Sequence, residues 1–285
     1  MTLPLTRRRL LGACAVGLSV VSAGCGGAMS FGTDQTEFER GLGTDVARIT
    51  VETDSGDARV SRTDAESVRV RGTKETGSVF TDLDDLTVET ARDGDRLHIS
   101  TDTSGGSFLG LGGGSISLDI GVPEGVAVER VSSGNGVATA TNVAGDVSLE
   151  ATNGMARAND VDGSVSLAST NGPLSARGIT GLDGAETTNG EVDVAVPAID
   201  GDVSISSING TVIAALAPDL DATVVASTEN GTVNVDDLPF ERDGPKDTLR
   251  GTLGDGTHEL TVETTNGSVL LTRLRRPVRQ SQQSQ

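Results

Sequence analysis

Seven Asn-Gly pairs recur along the second half of this chain, and their spacing limits the folds that it can adopt. Successive pairs begin 18, 18, 18, 20, 21 and 36 residues apart, the last spacing being twice 18. Asn and Gly adopt positive φ at little steric cost, so each pair marks a chain reversal. Reversals at a fixed period predict the same corner of successive turns in a stacked coil. The asparagines concerned are Asn135, Asn153, Asn171, Asn189, Asn209, Asn230 and Asn266.

A shorter repeat divides the 18-residue unit in two. Gly136 and Gly145 are nine residues apart, and the same spacing returns in the next two units. Apolar residues follow these glycines by two and four positions, as Val147 and Leu149 do, which puts them on one face of a strand. The sequence therefore predicts an all-β fold, a β-solenoid resembling a parallel β-helix, with coils of 18 residues.

The composition indicates a narrow interior. The chain has no Trp, no Tyr and 38 Gly in 285 residues, and the repeated apolar positions are mostly Ala and Val. We expect two closely approaching sheets, in which equivalent strands of neighbouring coils pair about 4.8 Å apart. The seven corner asparagines are expected to form a hydrogen-bonded ladder of side chains, which is a structural role.

The first residues have the organisation of an export signal. Arg7, Arg8 and Arg9 precede an apolar run from Leu10 to Val21, which is too short to span a bilayer. The arginines resemble a twin-arginine export signal, and Val21-Ser22-Ala23-Gly24-Cys25 resembles a lipobox. We expect a lipoprotein signal peptide over residues 1–24, with Cys25 lipidated and holding the chain on the outer face of the membrane. The alternative is an incidental thiol after an ordinary cleaved signal.

The rest of the chain divides by composition. Residues 25–44 are expected to form a flexible tether, and residues 45–272 a β-solenoid with irregular strands over 45–125 and regular repeats over 126–272. The insertion from Asp236 to Glu259 is expected to loop out before the last coil. Residues 273–285 are expected to be disordered, unless Leu274 and Val278 fold over the open end as a cap.

The charge is strongly acidic. The formal net charge is −19, and removal of residues 1–24 would take away three Arg and no acid, giving −19 − 3 = −22. Only two of the 22 cations are Lys, a balance typical of proteins from extreme halophiles. Such a charge disfavours nucleic acid as a partner, so we expect membrane contact only through the lipid and an unidentified envelope or protein partner.

Catalytic and metal-binding groups are sparse. His98 alternates with apolar neighbours on a strand, and His258 lies in the insertion, so neither is expected to act as a base or a zinc ligand. Several aspartates lie beside corner glycines, where Asp is favoured because its side chain bonds its own turn. These aspartates are Asp146, Asp162, Asp183, Asp200 and Asp202.

The Ca-binding β-roll also uses nonapeptides, which makes calcium a candidate ligand of this repeat. Here Ser148 and Thr139 occupy positions where that motif needs carboxylates, which leaves too few hard oxygen ligands. We therefore expect no catalytic residues, no metal and no cofactor.

The turn motifs carry a family resemblance. The chain from about Val46 to Thr272 resembles the adhesin-type family of surface proteins of unknown function related to the GIN-type head domains, in its halophilic-archaeal lipoprotein form. The matching stretches are Thr53-Asp54-Ser55-Gly56-Asp57, Ile120-Gly121-Val122-Pro123, Ser133-Gly134-Asn135-Gly136, Thr152-Asn153-Gly154 and Thr265-Asn266-Gly267. The resemblance implies a β-solenoid of the cell envelope and brings no catalytic residues.

Together these features favour a non-enzymatic cell-surface lipoprotein whose solenoid serves adhesion or contacts with envelope proteins. Two alternatives stay open. One is an anchored polysaccharide lyase or hydrolase that uses surface carboxylates, and the other is a scaffold or sensing module for a membrane partner.

Overall fold

The computed structural model describes residues 34–43, 45–77, 82–104, 113–240 and 245–275. The export arginines Arg7 and Arg8, the lipidation candidate Cys25 and residues 276–285 lie outside these ranges. Within them, the regular structure is a set of strands and one 3₁₀ turn at Leu83–Asp85. The strands are β1 Asp34–Leu42, β2 Arg48–Ser55, β3 Ala58–Arg62, β4 Val68–Thr76, β5 Thr87–Asp93, β6 Arg96–Asp102, β7 Gly114–Val122, β8 Ala127–Asn135, β9 Ala138–Ala144, β10 Val147–Asn153, β11 Ala156–Asp162, β12 Ser164–Asn171, β13 Leu174–Arg177, β14 Gly181–Asn189, β15 Val192–Val196, β16 Val203–Asn209, β17 Val212–Leu216, β18 Ala222–Asn230, β19 Val233–Asp236, β20 Thr248–Leu253, β21 His258–Asn266 and β22 Val269–Arg273.

The strands form two layers that meet at a corner. The front layer has the order β5, β6, β2, β8, β10, β12, β14, β16, β21, β18, β20. The back layer has the order β1, β4, β7, β3, β9, β11, β13, β15, β17, β22, β19. One pairing, between Ala127 and Ala144, joins the layers into a single 22-stranded sheet. The predicted all-β, solenoid-like class is confirmed.

A rung consists of one front strand, a corner and one back strand, and the rungs stack in parallel. In the described part of the chain, the rungs follow one another as β6–β7, β2–β3, β8–β9, β10–β11, β12–β13, β14–β15, β16–β17, β21–β22 and β18–β19. This spatial order departs from the chain order at both ends. The last coil of the sequence lies one rung inside the end of the rod, where we expected successive coils to stack in turn.

Antiparallel strands cover the ends of the stack, and they correct three boundaries. The predicted tether over 25–44 is wrong for Asp34–Leu42, which pairs along its whole length with β4 because Phe38 and Leu42 pack against the core. The predicted loop over Asp236–Glu259 contains β20, which pairs with β18 and buries Leu249 and Leu253.

The third correction concerns the C-terminal boundary. Strand β22 continues to Arg273, one residue beyond the predicted end of the solenoid. Leu274 donates its backbone N–H to the Leu216 carbonyl at 2.8 Å and packs against the core. The predicted disorder is therefore wrong for these two residues, because an apolar side chain reaches the end of the core. Val278, the other half of the predicted cap, lies outside the described residues.

The core lies between the layers and runs the length of the rod. Alternate residues of the regular strands point inward, as the burial pattern of β10 illustrates with Val147, Leu149 and Ala151. The core contains large side chains such as Leu149 and Leu167 from the front layer and small ones such as Ala156 and Ala158 from the back layer. Each fully buried Leu contributes roughly 1.5–3 kcal/mol, so the apolar repeat supplies much of the stability. Among the described residues, no helix is long and apolar enough to cross a membrane.

Candidate interaction edge and face

The seven corner asparagines form one continuous column of side-chain amides. Each Nδ2 donates to the Oδ1 of the asparagine on the preceding rung, at distances between 2.8 and 3.0 Å. At the first rung of the column, Asn135 donates instead to the Asp54 carbonyl at 3.4 Å. The asparagines follow the spatial order of the rungs: Asn135, Asn153, Asn171, Asn189, Asn209, Asn266 and Asn230. We call this set the Asn column.

Glycine is needed beside the Asn column because adjacent rungs approach closely there. A Cβ on Gly154 would lie 1.8 Å from the Gly136 carbonyl oxygen, and one on Gly172 would lie 1.8 Å from that of Gly154. No side chain fits at such a distance from a backbone atom. The glycine of each Asn-Gly pair therefore sets the spacing of the rungs as well as the turn.

A second column consists of hydroxyls two residues before the asparagines, all of them buried except the half-buried Ser169. These hydroxyls donate to the glycine carbonyl of the preceding rung, as Thr187 does to Gly172 at 3.1 Å and Ser207 to Gly190 at 2.9 Å. The set, which we call the hydroxyl column, is Ser133, Ser169, Thr187, Ser207, Thr264 and Thr228. At one rung the position is Ala151. This column was not predicted, although the sequence repeats a Ser or Thr two residues before Asn-Gly.

The outer face of the front layer carries a row of carboxylates on alternate rungs. In spatial order the row reads Ser100, Glu52, Ser132, Glu150, Ala168, Glu186, Ser206, Glu263 and Ser227. The alternation separates neighbouring acids by two rungs, about 9.6 Å, which limits the repulsion between like charges. If the rungs stacked in chain order, Ser206 and Ser227 would lie on neighbouring rungs before Glu263, and the alternation would be lost there. We call this set the carboxylate row.

Next to the carboxylate row is a row of small polar residues that immediately precede the asparagines. It includes Thr152, Thr170, Thr188 and Thr265, and the other members are Gly134, Ile208 and Glu229. Ile208 keeps 49% of its surface exposed and is the one exposed large apolar side chain among the described residues. The outer surface of the front layer, which we call the front face, therefore combines hydroxyls and carboxylates with one large apolar residue.

A shallow groove of about 350 Å³ crosses the front face near its first regular rungs. Its floor consists of small residues such as Gly134 and Ala168, and Arg130 and Glu150 line one side. Arg130 Nη2 lies 2.6 Å from Glu150, and its Nε lies 3.8 Å from Glu52. The arginine thus offsets part of the negative charge of two carboxylates, one of which lines the groove.

Two of the corner aspartates connect rungs instead of bonding their own turns as predicted. Asp146 accepts the Ser164 N–H at 3.0 Å, and Asp202 accepts the Glu259 N–H at 2.8 Å. The reason is that Ser164 and Glu259 lie at the starts of β12 and β21, on the rungs adjacent to those of the two aspartates. The described residues contain no group of three or more His, Cys, Asp or Glu arranged to hold a metal ion.

Asp183 is the corner acid whose titration is most affected by its surroundings. Partial burial raises the pKa of its carboxyl, and the nearby charges of Asp146 and Asp200 raise it further, while a hydrogen bond from Ser164 acts in the opposite direction. His98 lies on β6, where its Nδ1 is 2.8 Å from the Thr50 hydroxyl and its Nε2 is 4.0 Å from Glu52. Neither residue lies in an enclosed site.

The architecture described above has a match among protein families. The Toastrack DUF4097 family model matches residues 109–272, which is more than half of the 285-residue chain. The chain belongs to the Toastrack DUF4097 family. In this Toastrack chain, the matched range includes the whole Asn column and the hydroxyl column.

Solved structures from Bacteroides and Parabacteroides species are similar to this chain. A candidate adhesin from Bacteroides fragilis has 10% identity and a TM-score of 0.44, covering 84% of this chain and 97% of that one. A candidate adhesin from Parabacteroides merdae has 9% identity and a TM-score of 0.39, covering 85% and 96%. A candidate lipid-binding protein from Parabacteroides distasonis has 12% identity and a TM-score of 0.36, covering 85% and 97%. No curated protein matches the Toastrack chain.

Proposed function

We propose that this Toastrack chain is a non-enzymatic cell-surface lipoprotein that contacts envelope proteins through its front face. The observation that carries the proposal is Ile208, an apolar side chain that is 49% exposed within a flat row of threonines. Protein contact surfaces commonly have an apolar centre with a polar rim. The flatness of the face favours a broad protein surface over a small ligand, which would need an enclosed pocket.

The anchoring half of the proposal rests on the sequence at Cys25. Eight residues, 26–33, separate Cys25 from strand β1. A fully extended segment of this length reaches at most about 30 Å. Since β1 covers the N-terminal end of the rod, a lipid on Cys25 would keep that end near the membrane. The rung that carries Ile208 is seventh in the stack and would then lie toward the distal end.

The acidic surface supports a high-salt habitat for the protein. With a formal charge of −22 after removal of the signal, self-repulsion is strong at low ionic strength. At about 1 M salt the Debye length falls to about 3 Å, which screens most of this repulsion. We propose that the protein works in such an environment, as the balance between Arg and Lys also suggests.

The contact function can be tested by changing the charge at one position on each face. Crosslinking in intact cells should recover a defined envelope partner with the unmodified chain, and Ile208→Asp should abolish that crosslink. Asn234→Asp adds the same charge on the exposed back layer and serves as the matched control. If both variants crosslink to the partner equally, the front face is not the contact surface.

The anchor can be tested independently. Replacing Cys25 by Ser should move the protein from the membrane fraction to the medium and abolish incorporation of labelled lipid. If the Cys25→Ser protein stays with membranes, the anchor lies elsewhere. The contact test does not depend on this outcome, because it compares two variants that both keep Cys25.

The polysaccharide-cleaving alternative lacks a supporting observation among the described residues. Its strongest candidates are Glu52 and Glu150, and both lie within 4 Å of the Arg130 guanidinium. Glycoside hydrolysis needs one carboxyl group to protonate the leaving oxygen and a second to act as base or nucleophile. Here both carboxylates are instead held beside one arginine as a surface ion pair.

A further inference from the structure

We infer that Asn230 is a site of spontaneous succinimide formation and deamidation, and that the other six Asn-Gly pairs are protected by the rung structure. The seven pairs share the Asn-Gly dipeptide, which allows close approach of the attacking amide at every site, so the dipeptide itself does not distinguish them. Their positions in the Asn column distinguish them, because Asn230 belongs to the last rung.

The reaction uses only the chain and water. The backbone nitrogen of Gly231 loses its proton to base and attacks Cγ of Asn230, forming a new C–N bond. The Cγ–Nδ2 bond breaks and Nδ2 leaves as ammonia, taking up a proton, so that a five-membered succinimide results. Water then opens either carbonyl of the ring and gives aspartate or isoaspartate. The net change is asparagine plus water to aspartate plus ammonia.

At the six protected pairs, the nucleophile is held by a hydrogen bond. Each glycine N–H donates to the backbone carbonyl of the asparagine on the next rung. The six donors are Gly136, Gly154, Gly172, Gly190, Gly210 and Gly267, with N···O distances from 2.8 to 3.2 Å. Attack on Cγ requires this bond to break and the asparagine to rotate out of the Asn column. Both changes need local opening of the rod.

The Asn230-Gly231 pair keeps only one of these two restraints, the bond from Asn230 Nδ2 to Asn266 Oδ1. Its rung is the last of the described stack, and within the described part of the chain the Gly231 amide has no hydrogen-bond acceptor. On the outer side, the carbonyls of Asp247 and Lys246 accept the N–H groups of Thr228 and Val233, which flank the pair, and neither bond involves Gly231. Gly231 is exposed, whereas the glycines of the other six pairs are partly buried. Attack at Asn230 therefore requires one side-chain bond to break, and no bond of the attacking amide.

The product changes the end of the Asn column. Asn230 Nδ2 donates to Asn266 Oδ1 at 3.0 Å, and a carboxylate at position 230 cannot make this bond. The new negative charge also lies beside Glu229, which is exposed on the same rung. Deamidation at Asn230 should therefore loosen the last rung and leave the inner rungs unchanged.

The inference can be tested by ageing the folded full-length chain in mildly alkaline buffer. Peptide mapping by mass spectrometry with fragmentation would follow aspartate and isoaspartate at all seven asparagines. We expect Asn230 to react at least about tenfold faster than any of the other six, since they depend on local opening. In concentrated urea, where the rungs are lost, the difference should shrink to the sequence-dependent variation of unfolded peptides.

A variant provides a second readout. Asn230→Gln keeps an amide donor for Asn266 but would need a less favourable six-membered ring, so the fast phase of ammonia release should disappear. Comparable native rates at Asn230 and at an inner asparagine would overturn the inference. So would a fast phase that persists in the Asn230→Gln chain.

Discussion

The hydroxyl column connects most of the stacked corners through one hydrogen bond per rung. The hydroxyl of Thr187 donates to the Gly172 carbonyl at 3.1 Å, and only 4–6% of the surface of Thr187 and its equivalents Thr228 and Thr264 remains exposed. A carbonyl that loses its donor in such a site costs about 1–3 kcal/mol. The corner is therefore sensitive to changes that preserve volume but remove the hydroxyl.

Thr187→Val should lower the free energy of unfolding by about 1–2 kcal/mol, because the isosteric side chain leaves the Gly172 carbonyl without its donor. Urea denaturation would measure the change. Thr188→Val, one residue along and on the front face, is the control and should have little effect. Equal losses for the two variants would mean that the hydroxyl bond carries no stability.

The rung with Ala151 allows the reverse change. Ala151 pairs with Ser133 and Ser169, so the equivalent position holds a Ser side chain on both adjacent rungs. Ala151→Ser should add a donor for the Gly136 carbonyl and raise the free energy of unfolding by about 0.5–1.5 kcal/mol.

The raised pKa of Asp183 gives a prediction about pH. Its folded-state pKa lies above the unfolded value, so ionisation of this carboxyl disfavours the folded state. The penalty is absent below the unfolded pKa and is fully present once the pH rises past the folded pKa. Asp183→Asn should therefore raise the melting temperature at neutral pH, and the gain should vanish in acid below the ordinary aspartate pKa. Thermal melts across this range would check it, and a gain that is constant with pH would contradict the cause assigned here.

At the scale of the strand and its corner, close approach between rungs makes glycine irreplaceable. Gly154→Ala would put Cβ 1.8 Å from the Gly136 oxygen. We expect a loss of at least about 3 kcal/mol or failure to fold. Gly201→Ala, where no atom lies within 4 Å of the added carbon, is the matched control and should stay within about 0.5 kcal/mol. Similar denaturation midpoints for the two variants would contradict the stacking of Gly154 on Gly136.

The carboxylate row tests the same stacking through charge. Ser206 lies between Glu186 and Glu263, so Ser206→Glu would put three carboxylates on consecutive rungs. We expect a loss of about 1 kcal/mol at low salt. Screening at about 1 M salt should remove most of that loss. Ser204→Glu, whose partner on the next rung is the uncharged Thr261, should be tolerated at both salt concentrations. A salt-independent loss would point to packing instead of charge.

The elements show which parts of the fold are readable from sequence. The Asn-Gly period predicts parallel strands in register because each corner imposes the same turn on every rung. Strands β1, β5 and β20 have no such corner, since they pair antiparallel and run back across an end. Their apolar content is low, with Phe38 and Leu42 as the contacts of β1 with the core. Sequence alone therefore indicated a tether and a loop where the molecule has strands.

The candidate face was harder to predict than the fold. The Asn column could be proposed from a repeated dipeptide, whereas the alternation of the carboxylate row exists only in the spatial order of the rungs. Ile208 is one apolar residue in a row of threonines, and its exposure depends on which face of β16 points outward. Such features depend on contacts between distant residues, which a single sequence does not specify.

For the whole molecule, the chain doubles back at both ends. Rung β2–β3 lies inside β6–β7, and rung β21–β22 lies inside β18–β19. The last coil must therefore be in place before the end rung can dock, and folding cannot proceed rung by rung along the chain. The antiparallel end strands β1, β5 and β20 also present charged edges, which oppose end-to-end association of rods.

The central claim is the order of the rungs, and engineered disulfides test it most directly. In a chain with Cys14 and Cys25 changed to Ser, cysteines would replace Asn209 together with either Asn266 or Asn230. Neighbouring rungs are about 4.8 Å apart, within the range of a disulfide, whereas a separation of two rungs, about 9.6 Å, is beyond it. We predict that the pair at 209 and 266 oxidises readily and that the pair at 209 and 230 does not. Rapid oxidation at 209 and 230 without oxidation at 209 and 266 would contradict the account, because it would mean that the coils stack in chain order.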